Sequence, residues 1–241
     1  MASNSNDDSR FVPTWMQDLP SNTQNKTRFV PSWMQNMESN KTQNNHSIRY
    51  IEFHGKVVYC TQATYLAAYT VDIMDLIDDK KIHYFGFDME WPVLNGKSLK
   101  TALIQICVNH TLCYIFHVYL LQKLPNVFQN LLNTPNVRWS GVCIKNDFLK
   151  LSRDFNIDLS VAISNIIDLA TYTNQVLNFE SNLRWSMADL VQYLLKKHVN
   201  KDVQIRMGNW NNTNLNEKQL MYAATDAYIS LILFEHLKNL E

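Results

Sequence analysis

Composition alone excludes several classes for this sequence. Its 22 Lys and Arg balance 22 Asp and Glu, so no global field advertises a nucleic-acid partner. Acids neutralised by a bound metal, and local Lys/Arg clusters, stay compatible with one. The four cysteines, Cys60, Cys107, Cys113 and Cys143, show no Cys-x-x-Cys spacing and give no zinc signature. Three of them fall in apolar runs, where a reduced, buried thiol is expected. No run reaches the apolar length of a membrane span. Residues 1–10 are polar and acidic, without the apolar stretch of a secretory signal. An intracellular protein without a membrane partner is therefore expected. No basic cluster of nuclear-import type is present either.

What remains is a polar tail followed by a strongly patterned chain. Residues 1–46 are rich in Asn, Ser, Thr and Gln and read as disordered, with one domain over 47–241. Within the tail, Arg10-Phe11-Val12-Pro13-Thr14-Trp15-Met16-Gln17 recurs as Arg28-Phe29-Val30-Pro31-Ser32-Trp33-Met34-Gln35. Units this short cannot bury themselves as a solenoid. The repeat is either a duplicated linear motif that docks into a protein partner's groove, or a duplication of unselected tail.

Along the patterned part, 50–53 and 56–59 flank His54-Gly55 and predict a short hairpin. A helix is expected over 62–78. Strands are expected over 84–91, 102–108 and 112–117, the last two paired across Asn109-His110-Thr111. Pro125 opens a helix. A strand over 138–144, a helix over 146–155, a short strand over 166–169 and helical patterns near 170–177 and 186–196 follow. Asn216, with Gln219 three residues on, begins the clearest helix through a capping box. A meander of strands followed by strand–helix alternation predicts an α/β chain, a mixed β-sheet flanked by helices.

The chemistry centres on Phe87-Asp88-Met89-Glu90-Trp91-Pro92. Side chains alternate along a strand, so Asp88 and Glu90 share one face while Phe87 and Met89 take the other. Two adjacent acids without a cation between them repel, and burial worsens this. The pair suits either a solvated edge or a divalent cation. Asp147 begins the helix that follows the apolar strand, where an acid is ordinarily explained by the helix dipole. Asp226 lies mid-helix in the Ala-rich Tyr222-Ala223-Ala224-Thr225-Asp226, with Tyr222 one turn earlier on the same face.

Together these segments resemble the 3′–5′ exonucleases with four acidic residues and a tyrosine, which share a ribonuclease H-like fold. Residues 87–92, 141–147 and 222–226 carry the likeness, although the family often has glycine where this chain has Cys143. Residues 88–92, 184–186, 205–210 and 222–228 are similar to the Werner-syndrome type of exonuclease, in the form without a helicase. The resemblance implies two ions, Mg²⁺ or Mn²⁺, held by Asp88, Glu90, Asp147 and Asp226. Asp88 would bridge them, Glu90 and Asp226 would complete the site of the attacking water, and Asp147 would serve the second ion. Tyr222 would orient that water. It implies a nucleic acid with a free 3′ end, DNA favoured over RNA, release of nucleoside 5′-monophosphates, and a nuclear role in genome maintenance. An RNA 3′-end trimmer and a catalytically idle module acting through the tail repeats are the alternatives.

Substrate contacts are open to two readings. Lys145, Lys150 and Arg153 can meet phosphates or form a solvated helix face. Met89 and Trp91 can contact the terminal base or belong to the core. Phe148, Leu151 and Phe155 follow helical spacing and are expected in the core. Trp185, Trp210, His117 and His198 are read as structural or surface residues.

Overall fold

The described residues begin with two short strands, β1 (Tyr50–Ile51) and β2 (Lys56–Cys60), and a helix, α1 (Ala63–Met74). Next come β3 (His83–Glu90), a small hairpin of β4 (Val93–Leu94) and β5 (Lys97–Ser98), then β6 (Leu103–Asn109) and β7 (Leu112–His117). The second half alternates: α2 (Asn126–Leu132), β8 (Val137–Gly141), α3 (Ile144–Phe155), α4 (Ser160–Ser164), β9 (Ile166–Asp168) and α5 (Leu169–Val176). After α6 (Met187–Leu190) comes a π-helical turn at Val191–Leu195. Finally β10 (His198–Val199) and α7 (Val203–Arg206) lead to the long α8 (Glu217–Lys238). This computed structural model describes residues 49–179 and 183–241, so the tail and its repeats lie outside the described residues.

Six strands form the central sheet in the order β2–β7–β6–β3–β8–β9. β6 is antiparallel to both β3 and β7, whereas β3, β8 and β9 run parallel to one another. The expected mixed sheet flanked by helices is therefore present. Because β3, β8 and β9 run the same way, their C-terminal ends share one sheet edge, the edge where open α/β sheets bind ligands.

The two faces are filled differently. On one, Phe87 packs on Phe148 of α3 at 4.5 Å between ring centroids and on Trp139 of β8 at 5.8 Å. On the other, Leu103, Cys107, Cys113 and Ile115 meet Ala223, Ala224, Ala227 and Leu231 of α8 in one buried cluster. Gly86 explains how close the helix comes. A Cβ there would lie 2.0 Å from the Ala227 carbonyl oxygen and 2.8 Å from the Leu231 amide nitrogen.

Two expectations need correction. The hairpin expected over 50–59 does not form: β1 pairs in parallel with β10, and β2 pairs in parallel with β7. The intervening Phe53 is fully buried in the α8 cluster, and its N–H donates to Thr225 Oγ1 at 3.1 Å, so this chain is committed to the helix. The strand expected over 138–144 ends at Gly141, and apolar Ile144 is already helical. Core-facing residues of a buried strand and of a following helix look alike in sequence, and only the turn between them separates the two.

Candidate active site

β3 delivers Asp88 and Glu90 to the face that α8 covers. The paired register sets Asp88 opposite Gln105 and Glu90 opposite Leu103 on β6. From the other side α8, held close by Gly86 and its own alanines, brings in Asp226. Ligand oxygens of Asp88, Glu90 and Asp226 thereby lie within 4.8 Å of one another.

Asp147 arrives by another route. β8 ends at Gly141, and the chain swings through Cys143, whose φ of 56° is left-handed, straight into α3. Asp147 sits in the first turn of that helix and is buried. It stands outside the three-carboxylate group, yet near enough for its charge and that of Asp88 to oppose each other.

The electrostatics are those of acids forced together. Burial first, and then the Asp226 charge, hold the Asp88 carboxyl well above its usual range. Glu90 is likewise raised by burial, then by Asp88 and Asp226. Burial and the Asp88 and Asp168 charges raise Asp147. Burial lifts Asp226 to about 6, while a hydrogen bond from the Tyr222 hydroxyl and the charges of Arg206 and Lys201 act against the rise. Tyr222 itself is raised far above an ordinary phenol by burial and by the Asp226 and Glu90 charges, so it remains a protonated donor.

Among the described residues, no Lys, Arg or His forms a salt bridge with any of these four acids. An oxygen-only, multiply anionic set, with Asp88 half-buried and the other three acids buried, fits a hard divalent cation. Asp88, Glu90 and Asp226 are the residues that would hold it, with Asp147 beside them.

The proposed substrate contacts sort clearly. Met89 and Trp91 are 4% and 3% exposed, which decides for the core. Lys150 is corrected: it is buried, donates to the Leu99 carbonyl at 2.6 Å, and pairs with Asp154 at 2.9 Å. Asp154 also accepts from the Thr101 N–H and hydroxyl, so this ion pair fixes the loop before β6 and leaves no ammonium for phosphate. Lys145 and Arg153 lie on the exposed side of α3. Phe148, Leu151 and Phe155 are buried as expected. Trp185 donates to Asn174 and Trp210 to the Arg206 carbonyl, both inside the protein. His117 is buried beside the Trp210 carbonyl.

Arg206 is the residue that sequence reasoning passed over. From the end of α7 its guanidinium opposes the pKa rise of Asp88, Glu90 and Asp226 together. It appeared only inside the 205–210 motif, with nothing in its spacing to tie it to the acids.

Residues 68–240 match the protein family described as 3′–5′ exonuclease. A 3′–5′ exonuclease of Drosophila yakuba is 38% identical over 196 residues, 80% of this chain and 55% of the relative. That of Drosophila melanogaster is 37% identical over the same shares. The chain thus spans about half the length of these curated relatives. Among solved structures, the Aedes aegypti Nibbler EXO domain superposes with a TM-score of 0.60 at 24% identity, covering 81% of this chain and 92% of that one. The catalytic core of RRP6 from Trypanosoma brucei gives 0.60 at 16% identity, covering 82% and 50%. At these identities the structures establish the shared fold.

Proposed function

The chain belongs to the 3′–5′ exonuclease family, and on that premise we propose that it removes nucleoside 5′-monophosphates singly from DNA 3′ ends with two divalent ions, Mg²⁺ or Mn²⁺. One observation carries this reading: acids far apart in sequence, Asp88 and Glu90 on β3 and Asp226 on α8, converge within 4.8 Å. Asp88, Glu90 and Asp226 would hold one ion, and Asp88 with Asp147 the other. Divalent ions held there would supply charge stabilisation of the cleaved phosphodiester and would acidify the attacking water. Tyr222, donating to Asp226, fixes the orientation of that carboxylate and keeps its own proton. It therefore acts by positioning, not as a base.

The preference for DNA rests on the likeness of residues 88–92, 184–186, 205–210 and 222–228 to Werner-type exonucleases. The same likeness supports a nuclear role in genome maintenance, and the tail repeats suit a protein-docking role there. The test is matched DNA and RNA strands, labelled at the 5′ end, incubated with Mg²⁺ or Mn²⁺. Stepwise shortening of DNA with 5′-monophosphate products is expected. Faster shortening of RNA would reassign the substrate, and no shortening of either would overturn the exonuclease reading.

A further inference from the structure

Gln105 is the one polar side chain in the α8-facing layer of β6, and it has no visible task. It is fully buried, and neither its Nε2 nor its Oε1 has a hydrogen-bond partner. Along the strand its same-face neighbours are Leu103 and Cys107; across β7 its partner is Ile115, and these three belong to the apolar cluster under α8. Leaving such an amide unsatisfied is destabilising, and an apolar side chain of similar shape avoids that cost. Buried orphans of this kind call for a specific reason.

The register supplies one. Gln105 lies directly opposite Asp88 on β3. Directly opposed residues of an antiparallel pair project from the same face, their Cβ atoms about 4.5–5.5 Å apart. Asp88 is therefore the polar group that the strand pairing sets beside the amide. We propose that Gln105 is a positioning residue for Asp88, its side-chain N–H serving to orient the Asp88 carboxylate when that carboxylate binds a divalent cation. This rests on the metal-dependent reading above. A glutamine suits the task because it brings a donor without charge. A lysine would compete with the cation, and a glutamate would add another acid to an already crowded group. Once a cation holds Asp88 ionised, the carboxylate becomes a strong acceptor, and the orphaned donor gains a charge-assisted partner.

The experiment uses the full chain with Gln105→Leu and, should that variant not fold, Gln105→Met. Two quantities are read: thermal unfolding in EDTA, and Mn²⁺ affinity by calorimetric titration. Expected is an unfolding temperature equal to or above the wild type in EDTA, with Mn²⁺ binding weakened roughly 10–100-fold, the usual cost of losing a ligand's hydrogen-bond partner. Folded variants that bind Mn²⁺ as tightly as the wild type would overturn the role of Gln105 alone, whatever their unfolding temperature. A wild-type chain that binds no Mn²⁺ would overturn the metal site and this proposal together.

Discussion

At the scale of single residues, the four acids are each raised by burial, and all but Asp226 by one another's charges. Asp88→Asn or Asp226→Asn is expected to lower nucleotide release by more than about 100-fold while the chain stays folded, because each removes a ligand with charge. Tyr222→Phe deletes only the hydrogen bond to Asp226 and should slow release by about 10–100-fold. Wild-type rates on labelled DNA would contradict either expectation. The same crowding predicts a pH effect on the metal-free protein. Raised carboxyl pKa values mean that the folded state binds more protons than the unfolded chain between about pH 4 and 6. Stability must then fall as pH rises through that window. For Asp226, lifted to about 6, the difference amounts to about 3 kcal/mol. Melting temperatures in EDTA should be higher at pH 5 than at pH 7.5, and Asp226→Asn should flatten that dependence. The acids were legible in sequence because a strand's two-residue alternation and a helix's one-turn spacing put them on defined faces. Lys150 was misread because a lysine on an amphipathic helix looks the same whether its head meets water or, as here, is buried against a half-buried aspartate. Cys143 illustrates a constraint visible only afterwards. Its left-handed φ of 56° is a conformation that costs a residue with a side chain about 1–2 kcal/mol.

At the scale of elements, the site depends on how near α8 lies to the sheet. Gly86→Ala would drive a methyl into the Ala227 carbonyl and lift the helix carrying Asp226 and Tyr222. Overpacking of this kind costs about 1–3 kcal/mol, and here the loss of exonuclease activity should exceed what the lowered melting temperature explains. An active Gly86→Ala protein with intact metal affinity would show that the helix tolerates the displacement. Capping made α8 readable: Asn216 accepts from the Gln219 N–H, and the Gln219 side chain accepts from the Asn216 N–H. The pairing of β1 and β2 was not readable. Alternation tells that a segment is a strand but not which distant strand receives it, and short strands joined by His54-Gly55 mimic a hairpin. The turn at Val191–Leu195 had no sequence signal: five residues are too few to reveal the longer period of an i→i+5 turn inside the helical pattern over 186–196.

At the scale of the whole molecule, metal binding should couple to folding. The repulsion among Asp88, Glu90, Asp147 and Asp226 is created by folding, and a cation bound to the folded state relieves it there, so Mn²⁺ should raise the melting temperature. At a hundredfold excess over Kd the gain is about 2.7 kcal/mol, and Asp88→Asn should lose most of it. An unchanged melting curve in Mn²⁺ would argue against the site. A second consequence concerns where the working unit begins. The first described residues contribute none of the four acids, but Tyr50–Ile51 zip onto His198–Val199, and the Phe53 amide is fastened to Thr225, next door to Asp226. Trimming the chain to start at Lys56 would therefore spare every ligand and still blunt the enzyme, because the leading segment acts as a clasp on the element that carries the last carboxylate.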